Sequence, residues 1–267
     1  MLGSGMEARP SRGRDAMTRE QTMLAALTLA LLGLVCGGCN SNRRDRLDTP
    51  RVIVSPYDTT NGDVLWAVVP PNNESGVSIV REDRIGDAIV GAVQGVRGVR
   101  CLPINRTLAM MESMGIRHVT TESEAISLAN ALGVDGIVVG SVTAYDPYDP
   151  PTLGLAMALY ARAGALSHRT NVDLDPHALS MAFTDFGRFD GARFNGTPFS
   201  VVSEHLDARD HGVLLELRRY AEGRSDRTSA LGWRVYTASM ELYTKFVAHH
   251  TVGRLIDEEW LRLTRER

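Results

Sequence analysis

Apolar and polar positions along this chain fall into blocks whose periods predict its elements. The first block, "MLAALTLALLGLV" at residues 23–35, is apolar throughout and too short to span a bilayer comfortably. "RVIVSPYD" (51–58) and "DVLWAVVPP" (63–71) are β-branched or aromatic runs joined through Asn61-Gly62, which predicts a hairpin. "NNESG" at 72–76 is a polar turn. From about Arg81 the period becomes helical: Ile85, Ile89, Val93 and Val96 share a face with Ala88 and Ala92 beside them, and Gly98 can stop the helix. "VRCLPI" (99–104) predicts a short buried strand. Asn105 can N-cap a second helix with Leu108 and Met111 inward and Gly115 as its stop. Thr121 and Glu124 form a capping box for a third, which carries Ala125, Leu128, Ala129 and Leu132 to Gly133.

The second half begins with "DGIVVGSVTAY" (135–145), a continuous apolar run that predicts a central strand covered on both faces. "DPYDPP" turns the chain. In "TLGLAMALYA" (152–161) Leu153, Leu155, Met157 and Leu159 alternate with Gly154, Ala156, Ala158 and Tyr160. That is strand periodicity, with large residues on one face and mostly small ones on the other, where a helix could approach. Residues 164–200 are weakly patterned. "FSVVSEHL" (199–206) reads as a strand, and "DARDHGVLLELRRYAEG" (207–223) as a helix with Val213, Leu217 and Tyr220 on one face. A long amphipathic helix over 236–264 closes the chain, with Leu242, Phe246, Gly253, Ile256 and Trp260 expected to face the core. Trp66 and Trp260 are both expected to be buried. The fold class is therefore α/β: a mixed β-sheet packed with helices, plus a long C-terminal amphipathic helix.

The chain's chemistry first bears on the leader. Arg9, Arg12, Arg14 and Arg19 precede the apolar run, and Cys36, Gly37, Gly38 and Cys39 follow it. A basic segment, a short apolar run and small residues at a cleavage site define a secretory signal. A C-x-x-C pair as redox or zinc site would need a folded frame or a second ligand pair, and the chain has neither here. The stretch looks like a bacterial lipoprotein signal, which implies acylation of Cys39 as the first mature residue; Cys36 stands where such signals more often carry Leu. We expect a signal peptide over 1–38, a polar lipidated tether over 39–50, and one α/β domain over 51–267 with an irregular insertion at 164–200. Cys101 is then the one thiol left, so no internal disulfide forms, and in its strand it reads as a small core hydrophobe rather than a nucleophile.

Charge narrows the partners. Without residues 1–38, 25 of the 29 basic residues face 29 of the 32 acids. A mildly acidic chain argues against nucleic acid and against a polybasic membrane surface. Membrane contact is expected only through lipid at Cys39. Asn40 follows that cysteine in place of the Asp that marks inner-membrane retention, so the expected location is the periplasmic side of the outer membrane.

"LWAVVPPNNESGVS", "GVRCLPINRTLAMM" and "ALGVDGIVVGSVTAYDPYDPPTLGLAMAL" resemble a group of exported bacterial lipoproteins. The group includes the curli-export lipoprotein family, the lipoprotein activators of penicillin-binding proteins and the TolB amino-terminal domain. The shared features are an Asn-rich turn after the first strand, here Asn72 to Ser75, and an LG-x-D helix stop before a VxGxV strand. In this chain those are Leu132-Gly133 with Asp135, and Val138 to Val142. The resemblance covers about residues 50–162 and implies a fold whose members bind other proteins or assemble. It transfers no activity by itself.

Candidate chemistry is sparse. Asn72, Asn73, Glu74 and Ser75 read either as an anion-binding turn at a helix N-terminus or as a turn satisfying its own backbone. Asp146 and Asp149 supply two oxygen ligands where calcium needs about six. Tyr145 and Tyr148 beside them make a candidate partner-contact loop, because aromatics on a rigid loop suit a binding hot spot. His249 and His250 are adjacent and cannot share a helix face, so His249 on the apolar stripe reads as a core histidine. We expect no metal site and no cofactor, and no catalytic residue; H-E-x-x-H, G-x-S-x-G, Walker and G-x-G-x-x-G motifs are missing.

We read the chain first as a non-catalytic, lipid-anchored module that binds an unidentified envelope protein and is open to homo-oligomerisation. An oligomeric export-channel subunit comes second and an envelope hydrolase third. Phe183, Phe186, Phe189, Phe194 and Phe199 fall three to five residues apart with charges between them, which breaks the period a transmembrane hairpin requires. The segment is expected to be a loop or short helix over the domain.

Overall fold

The structure is a computed structural model that describes residues 52–60, 62–162, 166, 198–226 and 229–265. They lie in one compact unit, Asp48–Arg267. The fold is mixed α/β. Strands β1 (Ile53–Val54), β2 (Val64–Val68) and β3 (Asn72–Asn73) lead to helix α1 (Glu82–Gln94), then β4 (Val96–Arg97) and β5 (Val99–Cys101). Helices α2 (Ile104–Ser113) and α3 (Glu122–Leu132) precede β6 (Gly136–Asp146) and β7 (Thr152–Ala161). After β8 (Ser200–Asp207) come α4 (His211–Ala221), the short α5 (Val235–Ala238) and the long α6 (Met240–Arg265).

The main sheet runs β5-β2-β6-β7-β8, with β3 also paired to β6. β2 is parallel to β5 and β6, whereas β6, β7 and β8 are antiparallel. Parallel neighbours need crossovers, and α1 supplies one while α2 and α3 supply the other. Alternation along β2 divides the core. Trp66 and Val68 face α1 and α6, where they meet Ile89, Val93, Phe246 and Val252. Ala67 and Val69 face α2 and α3, where they meet Met111, Leu128 and Ala129.

Several expectations are corrected. β1 does not pair with β2: it pairs in parallel with β4 as a separate two-stranded sheet. Gly62, at φ 115°, does turn the chain, but β1 finds its partner only after the α1 crossover. α1 ends at Gly95; Gly98 instead bends the chain between β4 and β5 at φ 90°, where a Cβ would come within 2.6 Å of Ser55 Oγ. α2 starts after Pro103, not Asn105, so Thr107 and Met111 point inward and Leu108 is exposed. The large residues of β7 are buried as expected, yet the helix on that face is α6. The opposite face of β7 and β8 holds half-buried or exposed Ala156, Ala158, Tyr160, Val201 and Ser203. β6 is accordingly covered on both faces only at Gly136–Val138.

The capping box of α3 forms as expected: Glu124 N donates to Thr121 Oγ1 at 3.3 Å, Thr121 N donates to Glu124 Oε2 at 3.1 Å, and Gly133 ends the helix in the left-handed conformation. α6 buries Phe246 and Ile256 as expected and half-buries Leu242 and Gly253, but its buried stripe is broader than expected and leaves Trp260 outside it. Tyr243, Val247, Val252, Leu255, Glu259 and Leu263 are buried, while Trp260 is 43% exposed and donates its indole N–H to Val54 O at 3.0 Å. The stripe includes a polar cluster. Glu259 is fully buried and accepts from Tyr57 Oη at 3.0 Å, from Ser200 Oγ, and from Arg262 at 2.7 and 3.0 Å. Arg262 also donates to Leu166 O and stacks 4.6 Å from the Phe199 ring centre. A charge inside an apolar stripe is tolerated here because every partner is in place. Cys39 and most of the 164–200 segment, with Phe183, Phe186, Phe189 and Phe194, lie outside the described residues. Among the described residues no helix is long and apolar enough to cross a membrane.

Candidate functional site

The candidate contact loop joins β6 to β7. Asp146 Oδ1 accepts the Tyr148 N–H at 3.1 Å, closing a side-chain turn, and Asp146 Oδ2 lies 3.8 Å from Arg209. The Asp149–Pro150 bond is cis. Tyr148 is 78% exposed, and Asp149 is exposed beside it. Tyr145 goes the other way. It is half-buried against the core, lines the hollow between α1 and α6, and its phenol pKa is raised by burial. The four loop residues therefore serve two places: an exposed tip with Tyr148 and Asp149, and an inner pair, one side chain held by Arg209 and one in the hollow. Among the described residues no group of three His, Cys, Asp or Glu side chains could hold a metal.

The α1–α6 hollow encloses about 730 Å³, with Ile53, Ile85, Ala88 and Ala92 on its floor and Arg81, Arg84 and Lys245 among its charges. A second hollow of about 650 Å³ lies between β1, α4 and α6. Val52, Ile53, Tyr220, Arg224 and His249 line both. Their junction is an aromatic cluster: Tyr220 meets Tyr236, Phe246 and His249 with ring centres 5.6, 5.6 and 5.0 Å apart. Arg224 lies over the Tyr220 ring at 4.4 Å and donates to Tyr220 O at 2.8 Å. Burial, then the charges of Arg224 and His250, lower the His249 pKa. His249 is thus half-buried at a groove rather than enclosed in the core. His250 diverges toward Glu204, 3.9 Å away.

The Asn72–Ser75 turn is occupied by its own bonds. Asn72 Nδ2 donates to Val119 O at 2.9 Å and Asn73 Nδ2 to Val77 O at 2.9 Å, while Asn73 Oδ1 accepts from Ser75 N and Oγ at 3.1 and 2.7 Å. Glu74 contributes its N–H to Val142 O at 3.0 Å, and its side chain is exposed. The turn thus clips β3 to β6 and to the loops beside it. Cys101 is half-buried, and burial pushes its thiol up to about 12, so it is protonated and a poor nucleophile at neutral pH.

Sequence reasoning missed the two hollows, the Arg224–Tyr220 contact and the Glu259 cluster. The hollows depend on β1 crossing α6, which no local pattern encodes. Glu259 did leave a signal, an acid four residues after buried Leu255 and four before buried Leu263, with Arg262 three residues on.

Among solved structures, lipoprotein GNA1162 from Neisseria meningitidis is 15% identical, with a TM-score of 0.34 over 58% of this chain and 90% of that one. The C-terminal domain of LpoB from Salmonella enterica is 11% identical, with a TM-score of 0.36 over 59% and 87%. The PelC dodecamer from Paraburkholderia phytofirmans is 16% identical, with a TM-score of 0.26 over 40% and 65%. Likeness at this level carries no functional assignment. No family model and no curated protein matches the sequence.

Proposed function

We propose that this chain is a non-catalytic, lipid-anchored protein-binding module of the bacterial envelope. In this reading Cys39 carries the lipid, residues 39–50 are the tether, and the domain faces the periplasm from the outer membrane. The observation that carries the reading is the β6–β7 loop. An aromatic side chain 78% exposed sits at the tip of a turn fixed by Asp146 and by the Asp146–Arg209 pair. A large aromatic held out on an ordered turn loses little conformational freedom on binding, and Tyr is enriched among hot-spot residues. Tyr148 and Asp149 would meet the partner, Asp146 would fix the loop, and Tyr145 would anchor it in the hollow. The Asn72–Ser75 turn we assign to structure.

Site-specific photocrosslinking in cells tests this. Benzoylphenylalanine at Tyr148 should give one discrete adduct in the outer-membrane fraction. The same group at Leu231, 50% exposed elsewhere, should not give it. An adduct at twice the mature mass would identify the partner as a second copy. The same smear from both positions, or none from either, would contradict the reading.

A further inference from the structure

A second surface of the domain has features that the β6–β7 loop does not explain. Val52, Val54 and Trp260, which are 54%, 46% and 43% exposed, all line the 650 Å³ hollow between β1, α4 and α6. Exposed Val beside exposed Trp makes an apolar cluster rather than scattered single residues. Arg219, Arg224 and Arg254 line the same hollow, against the carboxylates of Glu216 and Asp257. Arg219 pairs with Glu216, and Arg254 with Glu204 at 3.2 Å, while Arg224 lies over Tyr220. This hollow is lined by three Arg and two acidic side chains, in a chain of net charge −3.

We infer that this face rests on an anionic lipid surface, with Trp260, Val52 and Val54 at headgroup level and Arg219, Arg224 and Arg254 toward lipid phosphates. The inference rests on the anchor reading, because what places lipid here is the length of chain between Cys39 and Val52. Thirteen residues at no more than about 3.6 Å each reach no further than about 47 Å. A folded domain of this size has a radius of gyration of about 17 Å, so its width is comparable to the longest reach of that segment. The face by which the chain enters the domain is then the one kept closest to the bilayer, where effective concentration favours even weak contacts. Trp is the residue enriched at membrane interfaces, and Arg binds phosphate oxygens through its planar fork.

An extended peptide added to the outer edge of β1 is the competing occupant, and the strand is poorly prepared for it. Ser55 N donates to Arg97 O, so the Val54 carbonyl points off the opposite edge. There the Trp260 indole already takes it at 3.0 Å. A two-residue strand whose outward carbonyl is occupied offers little ladder to extend.

The test uses the full acylated protein in vesicles of three parts phosphatidylethanolamine to one part phosphatidylglycerol, doped with a phosphatidylcholine whose headgroup carries a nitroxide that quenches tryptophan at headgroup depth. Half-buried Trp233 is replaced with Phe in every protein compared, and Trp66, which is fully buried, serves as an internal reference. The wild-type emission should be partly quenched, and Trp260→Phe should abolish that quenching. Val52→Asp, at a position exposed enough to leave the fold intact, should reduce it at least twofold, as should replacing phosphatidylglycerol with phosphatidylcholine. A protein that floats with the vesicles but shows no quenching, or quenching that Trp260→Phe leaves unchanged, overturns the inference while the anchor stands. A protein that does not float overturns both. A benzoylphenylalanine at Val52 that crosslinks in cells to a protein instead of lipid also overturns it, in favour of a protein interface.

Discussion

Neighbouring residues on α6 reverse what side-chain type alone would rank. Glu259 is fully buried with Tyr57, Ser200 and Arg262 as partners, while Trp260 beside it is half-exposed. Glu259→Ala would remove the buried carboxylate to which Tyr57, Ser200 and Arg262 all donate, and one-sided removal of a buried pair costs about 3–5 kcal/mol. Trp260→Ala gives up one indole hydrogen bond, worth about 0.5–1.5 kcal/mol, plus partial packing. Urea unfolding should therefore find Glu259→Ala the more damaging change; the reverse order would mean the buried cluster does not hold in solution. His249 gives a pH prediction. Its folded pKa lies below the ordinary 6.5, so the unfolded chain takes up the proton first. Its contribution is complete above about pH 6.5 and is lost as pH falls below that value toward the folded pKa. The urea midpoint should drop between pH 7.5 and 5.5 by more in wild type than in His249→Gln, and equal drops would refute the assignment. At this scale the sequence was a partial guide. Trp66, Leu153, Leu155, Met157 and Leu159 are buried where alternation put them. Trp260 and Leu108 are not, because each lies about one helical position from the face that tertiary packing selected.

Elements with chemically marked ends were the most legible. α3 was readable because Thr121, Glu124 and Gly133 satisfy its first N–H and last C=O groups locally, whatever surrounds them. Thr121→Ala should cost about 1 kcal/mol in the same unfolding assay, the usual worth of such a cap. A loss near zero would show that α3 is held by its packing on β2 and β6 alone. The β1–β2 connection was illegible for the opposite reason. Asn-Gly encodes a turn, but not which strand is met afterwards, and β1 pairs with β4 across a crossover. Between β6 and β7 the close approach at Gly140 is equally invisible in sequence. A Cβ there would lie 2.6 Å from Ala156 O, a contact that only backbone movement relieves. Gly140→Ala should lower the midpoint although Ala is the milder strand residue by propensity. An unchanged midpoint would mean the hairpin is looser than the register implies.

For the whole molecule, the mixed sheet, its two helical layers and the long final helix follow from periods that a reader can count. The candidate site was half legible. The tyrosine loop was visible as aromatics among prolines and aspartates, whereas the hollows beside it arise from distant segments brought together at β1. The proposed function rests further on residues before the domain, where an apolar run, two glycines and Cys39 carry the reading of an anchored module. The measurement that tests that claim most directly is the mass and N-terminal sequence of the protein purified from membranes of its native type of host. The account predicts a mature chain beginning at Cys39, with residues 1–38 removed and a diacylglyceryl group on its sulfur. A chain that keeps residues 1–38, or one with Cys39 present as a free thiol, would contradict it.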